Sequence, residues 1–335
     1  MTKLRMRQAV VHALADELEC DPTVILLGED IGAAGGAFKA TEGLQERFGE
    51  RRVRDTPISE MGFLGASVGA AATGLRPVVE MMFVEFIGVA LDQLTTQAAS
   101  FRYLSRGSYA MPLTLRAAVG GGLGFGCQHS QILDHWFRGT PGIHVVMPST
   151  PQAAYGLLRA AIRSDDPVVV LEHKALYGER GEVELGDAGI IPLGRAATVT
   201  TGTDVTIVGL GRTVHTAVAA AAGANWTADI IDLQTIKPWD RACVLESVSK
   251  TRRLVTVEEN SAPAGWGADI VDTVVGELWG NLSAPPHRIT APHIPIPYAQ
   301  SLEDRYIPNA IYVHEQVTTL LDTGRRPAPW WEGRV

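Results

Sequence analysis

Cysteine is scarce in this chain: Cys20, Cys127 and Cys243 are its only three in 335 residues, far apart and with no CxxC pair. That excludes a disulfide framework and a cysteine-based zinc site, and it suits a reducing cytoplasm. Basic blocks are also missing, and the formal net charge is −8, which argues against nucleic acid as a partner. No long apolar run is present either. The most hydrophobic stretch, residues 78–94, carries Glu80, Glu85 and Asp92, so no membrane span is expected. The N-terminus is basic, but Asp16 and Glu17 interrupt the apolar residues after it, so it does not read as a secretory segment. Nucleotide signatures fail as well. No stretch reads GxGxxG or GxxxxGK[ST], and both Gly120–Gly126 and Gly209-Leu210-Gly211 have the wrong spacing. Gly65-Ala66-Ser67-Val68-Gly69 fits the letters of a nucleophile elbow, but Ser67 falls inside an expected helix rather than on a strand-to-helix turn.

What the chain does have is glycine, 35 of them, and short apolar runs alternating with amphipathic segments. The length suggests two domains, each with its own core. Strands are expected at 24–27, 51–55, 77–83, 113–119, 144–147 and 167–172, with helices at 5–19, 43–48, 86–103 and 151–163 among them. Such alternation implies a mostly parallel sheet with helices on both faces. The rhythm lapses over 176–196, read as a linker after a domain of residues 1–175. It resumes in a smaller α/β domain, 197–325, and 326–335 reads as an extended tail whose Trp330-Trp331 is exposed aromatic surface.

One stretch organises the first domain: Asp55-Thr56-Pro57-Ile58-Ser59-Glu60. Pro57 ends a strand, Ser59 is placed to cap the next helix, and Glu60 falls in its first turn. Ligands of parallel α/β sheets bind at the edge where strands end and helices begin. Glu29 ends the preceding strand. Glu85 and Phe86 come after the next one, and His129 comes after a glycine-rich loop beyond the fourth. Taken singly, Glu60 is a helix-dipole partner and His129 a surface histidine. Three carboxylates, an imidazole and an aromatic ring gathered at one edge make a stronger case for acid–base chemistry.

The chain is also recognisable as a whole. Gly28-Glu29-Asp30, Thr41-Glu42-Gly43-Leu44, Asp55 to Glu60, Gly74 to Glu80, Gln128-His129-Ser130-Gln131, Pro148-Ser149-Thr150-Pro151 and Ile231-Asp232-Leu233 carry the resemblance. Over about residues 5–322 it resembles the β subunit of the thiamine-diphosphate-dependent E1 component of 2-oxoacid dehydrogenase complexes. Phe101-Arg102-Tyr103, Thr290-Ala291-Pro292-His293 and Ser301 to Pro308 look most like acetoin dehydrogenase β subunits, with pyruvate dehydrogenase next and branched-chain enzymes third. The resemblance implies a pyrimidine-binding domain, then a transketolase C-terminal-type domain.

It also implies roles. Glu60 hydrogen-bonds the cofactor's aminopyrimidine, Phe86 stacks on that ring, and Glu29 lies beside it in an acidic proton path. His129 faces the substrate or the incoming lipoyl group. A structural K⁺ is implied at Leu113, Ala161, Ile162, Ser164 and Asp166, with Ser164 standing where an Asp is usual. Enzymes of this type hold the diphosphate through Mg²⁺ and a Gly-Asp-Gly motif, which this chain lacks. The implied arrangement is therefore an α2β2 heterotetramer whose α subunit holds the Mg²⁺ and shares the thiamine diphosphate. The small-residue helix 65–74 and the run 91–101 are then candidate interfaces. The implied reaction cleaves a C–C bond of acetoin or a 2-oxoacid and passes the acyl group to lipoamide on an E2 partner. A split transketolase-like enzyme and a non-catalytic assembly subunit are the rival expectations.

Overall fold

The computed structural model describes residues 1–332, and these divide into two compact units. The first comprises residues 1–119, 136–193 and 235–238; the second comprises 120–135, 194–234 and 239–332 of the described chain.

In the first unit, β1 (Thr2–Arg5) leads into α1 (Met6–Cys20) and β2 (Val24–Gly28). Next come α2 (Leu44–Phe48), β3 (Val53–Asp55), α3 (Glu60–Ala72) and β4 (Arg76–Met81). A 3₁₀ segment (Val84–Val89) and a π-helical segment (Gln93–Ala98) precede α4 (Ala99–Leu104). Then come β5 (Thr114–Val119), α5 (Asp134–Arg138), whose first two residues belong to the second unit, β6 (His144–Val146), α6 (Pro151–Arg163), β7 (Val168–His173) and β8 (Arg180–Val183).

The second unit contains β9 (Ala197–Thr200), β10 (Val205–Gly209), α7 (Arg212–Ala221) and β11 (Ala228–Asp232). The chain then makes β12 (Thr235–Lys237), which belongs to the first unit. The second unit continues with α8 (Arg241–Thr251), β13 (Leu254–Ser261), α9 (Gly267–Leu278), β14 (His287–Ala291), α10 (Gln300–Tyr306) and α11 (Ala310–Thr323).

The first unit's main sheet runs β12-β6-β7-β5-β4-β2-β3, parallel except for β12. Its central strands are buried along their length, as unbroken runs such as Val168-Val169-Val170-Leu171 require. α1 and α6 pack together over this core, and α6 starts cleanly because Thr150 accepts the Ala153 amide with Pro151 at the first helical position. The second unit's sheet runs β14-β13-β10-β11-β9, with only β9 antiparallel. The α/β class with two parallel-rich sheets is as the sequence predicts.

Three local expectations change. Residues 176–196, read as a linker, are tied to the first unit for most of their length. β8 pairs antiparallel with β1, Tyr177 is buried, and the chain stays with the first unit to Leu193. The helix expected over 86–103 is a 3₁₀ turn and then a helix that opens into a π segment. The tail does not offer Trp330 to solvent. Trp330 is 5% exposed, stacks on Tyr312 with centroids 4.4 Å apart, and donates its indole N–H to Thr290 O at 2.9 Å. Burying so large an apolar ring stabilises the second unit's edge once its one polar atom has a partner. Residues 333–335 of the expected tail lie outside the described residues.

Candidate active site

In the first unit, β4, β2 and β3 lie side by side and parallel, so their carboxyl ends share an edge. Glu29 comes directly after β2. Gly28 is closed in there: a side chain on it would meet the Glu80 carbonyl at 2.9 Å, so the turn to Glu29 requires glycine. The turns after β2 and β3 are tied together, because Thr56 N–H donates to Gly28 O at 3.0 Å and Gly32 N–H to Asp55 Oδ1 at 2.7 Å. Those two bonds fix the span from Asp55 to α3, and Glu60 opens α3 as its first residue. Ser59 occupies the cap position by its backbone, but its hydroxyl makes no capping bond.

Glu29 and Glu60 are thereby brought together. Burial, the negative charge of Glu60 and, third, that of Asp30 raise the Glu29 carboxyl above its usual pKa. Glu29 Oε1 is buried and has no hydrogen-bond partner. A carboxylate in this state favours a neighbour that offers it a proton or an N–H.

Phe86 sits in the 3₁₀ turn after β4, with its N–H bonded to Phe83 O. Its ring packs edge-on to Phe83 (5.6 Å), Phe83 edge-on to Phe38 (5.7 Å), and Phe38 lies 5.4 Å from Tyr177. Tyr177 ends this row at a buried ion network. Its hydroxyl donates to Glu172 Oε2 at 2.8 Å. Arg116 grips both Glu172 oxygens at 2.7 and 2.8 Å and donates to Glu80 at 2.7 Å. Burial opposes the Arg116 charge, but Glu172 and Glu80 outweigh it and hold the guanidinium more firmly protonated than usual. Glu80 is pushed up by burial first, against the pull of Arg116 and with the push of Glu172. Sequence reasoning did not single out this network. Its trace is a charge inside each of three apolar strands, at Glu80, Arg116 and Glu172, and buried charges require partners.

His129 belongs to the second unit, on the segment 120–135. Its N–H bonds to Gly126 O at 3.3 Å, and the loop before it alternates left-handed glycines at 120, 122, 124 and 126. The structure thus unites Glu29 and Glu60 at one strand edge, seats Phe86 on the aromatic row after β4, and mounts His129 separately.

At the implied K⁺ positions the oxygens already have partners within the chain. Arg76 takes two of them: Nη1 donates to Ile162 O at 3.2 Å and to Ser164 O at 2.9 Å, and Nη2 pairs with neighbouring Asp165 at 2.6 Å. Leu113 O accepts the Val168 amide, Ala161 O accepts the Ser164 amide, and Asp166 pairs with Arg102. The Ser164 hydroxyl donates to Asp166 O, so it brings no anionic oxygen to the loop.

Comparison with known proteins agrees with the geometry. Residues 2–180 match the pyrimidine-binding domain family of transketolase, and 194–313 match the transketolase C-terminal domain family. The chain is 44% identical over 324 residues to the acetoin:2,6-dichlorophenolindophenol oxidoreductase subunit beta of Cupriavidus necator, covering 93% of this chain and 95% of that one. It is 42% identical over 320 residues to the pyruvate dehydrogenase E1 component subunit beta of Rhizobium meliloti (95% of this chain, 70% of that one). Against the 2-oxoisovalerate dehydrogenase subunit beta of Bacillus subtilis, identity is 38% over 314 residues (92% and 96%). A solved split-gene transketolase, an inactive beta4 tetramer, superposes with a TM-score of 0.77 over 96% of this chain and 99% of that one. At 22% identity it shares the fold.

Proposed function

We propose, for a chain that belongs to the family of transketolase-type E1 β subunits, that it forms the pyrimidine-binding half of a thiamine-diphosphate-dependent dehydrogenase acting on acetoin or pyruvate. The observation that carries this reading is the Glu29–Glu60 pair at the carboxyl edge of the parallel sheet, with Glu29 Oε1 buried and unpartnered. That edge fits the aminopyrimidine end of the cofactor, where ring nitrogens and an amino group share protons with carboxylates. It does not fit the diphosphate, which three nearby Glu side chains would repel. When bound, the cofactor supplies the carbanion and the electron sink for cleaving a C–C bond beside a carbonyl.

This chain's residues do the rest of their half. Glu60 holds and returns the proton at the pyrimidine nitrogen. Glu29, biased toward its protonated form by burial and by Glu60, passes protons to and from that position. Phe86, backed by Phe83, offers the ring face on which a pyrimidine stacks. His129 serves later steps, the arrival of substrate and the departure of the acyl group to lipoamide on an E2 partner. The metal-held diphosphate belongs to an α subunit in an α2β2 assembly. Among the described residues no helix is long and apolar enough to cross a membrane.

The test is Glu60→Gln in the co-expressed αβ complex. It keeps the shape and removes the titrating group. Turnover should fall by about 10²–10⁴-fold, the usual reach of general acid–base catalysis, with assembly unchanged. Near-normal turnover would sink the assignment.

A further inference from the structure

The loop that carries His129 is held by side chains from distant parts of the second unit. Gly121 N–H donates to Glu259 Oε1 at 2.6 Å, and Gly124 N–H donates to Glu303 Oε2 at 2.9 Å. Glu259 stands near the end of β13 and Glu303 lies in α10, so two separate elements reach the same loop. Both carboxylates converge on one point. A side chain at Gly121 would meet Ile307 Cδ1 at 2.9 Å, Glu303 Oε1 at 3.0 Å and Glu259 Oε1 at 3.4 Å, so both carboxylates lie against the same glycine. The loop's base is closed by the Gly120 N–H to Gln131 O bond, and its far end is held where Asn260 Nδ2 donates to Ile132 O and to Asp134.

Glu303 is the telling member. It is wholly buried, yet one of its oxygens has no partner and the other takes a single backbone amide. A buried carboxylate so thinly satisfied weakens a fold. Its contribution must lie in what it holds. Four of the loop's glycines are left-handed, a conformation with little stiffness of its own, so anchors must come from outside.

We propose that Glu259 and Glu303 are positioning residues for His129, clamping the Gly120–Gly126 loop through the amides of Gly121 and Gly124 so that the imidazole is presented in one place. The proposal rests on the assignment of His129 above.

Two kinds of measurement on the αβ complex test it. The first is hydrogen exchange of the peptide spanning 120–129, which needs no assumption about catalysis. Losing a charge-assisted bond typically changes an opening equilibrium by about 10–100-fold, so Glu303→Ala should accelerate exchange there by about that factor. Glu303→Gln, which keeps an acceptor oxygen, should restore slow exchange. The second is kinetic. Glu303→Ala should lower kcat for acyl transfer to a lipoyl acceptor, leave cofactor affinity unchanged, and add nothing further in a His129→Ala background. Glu259→Ala and Glu259→Gln repeat the comparison should Glu303→Ala fail to fold. Unchanged loop exchange in the Ala variants overturns the clamp. Faster exchange with a loss that multiplies on top of His129→Ala overturns the link to His129. Wild-type turnover in His129→Ala itself would instead refute the role given to His129, while the exchange result still decides the clamp.

Discussion

Arg116→Met is the most informative single perturbation of the first unit. Arg116 is 2% exposed and is the cation between Glu172, 1% exposed on its side chain, and Glu80, 13% exposed. Removing it strands two carboxylates with only the Tyr177 hydroxyl among its present partners to help Glu172. Breaking a buried ion pair from one side typically costs about 3–5 kcal/mol. At about 2–4 °C per kcal/mol for a unit of this size, the melting temperature should fall by on the order of 6–20 °C. The deficit should also depend on pH. Burial already raises the Glu80 carboxyl against the pull of Arg116, and losing that pull raises it further. Its proton-linked stability is then present at low pH and lost as pH rises through the folded value. The gap between variant and parent, measured by calorimetry, should be widest near pH 8 and narrow toward pH 5. The triple change Arg116→Met, Glu172→Leu, Glu80→Gln removes the stranded charges and should recover most of the loss. A single-variant melt within about 2 °C of the parent and flat from pH 5 to 8 would refute the reasoning. A damaged network should also reach the site, because Tyr177, Phe38 and Phe83 connect it to Phe86.

Three further outcomes are expected. Glu29→Gln removes a carboxyl whose pKa is raised on folding, so it should raise the melting temperature at pH 8, with the gain shrinking as pH falls into the acid range; a loss of stability at pH 8 contradicts the shift. Calorimetric titration of the purified single chain with Mg²⁺ and thiamine diphosphate should show no tight binding until the α partner is added; stoichiometric binding to this chain alone excludes a shared site. Replacing K⁺ by choline at constant ionic strength should move the melting temperature by less than about 1 °C, whereas a K⁺-specific rise of several degrees would restore the metal site.

Much of the fold is legible because the apolar runs are short, separate and bounded by turn residues. α6 is read to the residue since Thr150 and Pro151 mark its start. The failures occur where a distant partner decides the outcome. Arg180–Val183 has no apolar alternation and becomes a strand because β1 offers it a ladder. Trp330 looks exposed in a Pro-rich tail until Tyr312 and Thr290 receive it. The carboxyl-edge residues Glu29 and Glu60 are legible because topology alone fixes where strands end. The loop clamps are not, since 138 and 179 residues separate Glu259 and Glu303 from the glycines they hold. Gln128-His129-Ser130-Gln131 points to His129, but no local pattern says what keeps it in place.

Charge gives a physical reason for the divided site proposed above. This chain places Glu29 after β2, Glu60 at the start of α3 after β3, and Glu85 in the 3₁₀ segment after β4. Arg116, the buried cation of the same sheet, is spent on Glu80 and Glu172. Burial first, and then the charge of Glu60, already disfavour ionisation of Glu29. Bringing a diphosphate to the same edge would add to that repulsion, at about 4 kcal/mol per pair of unit charges 4 Å apart at an effective dielectric of 20. A site with both functions on one chain would have to interleave metal and cationic groups with the carboxylates, and each cation near Glu29 would lower its pKa and weaken the proton sharing the pyrimidine end requires. Dividing the cofactor across an interface keeps the two electrostatic environments apart. The acidic edge can then hold protons in exchange with a ring nitrogen, while the partner supplies the positive field for the phosphates. On this argument, introducing a cation beside Glu29, as in Asp30→Lys, should pull the Glu29 pKa back toward its usual value and slow proton exchange at the cofactor more than it changes cofactor affinity. Deuterium exchange at the cofactor's reactive carbon in the αβ complex measures the first, and titration calorimetry the second. Equal losses in both would mean that charge separation is not what the divided site achieves.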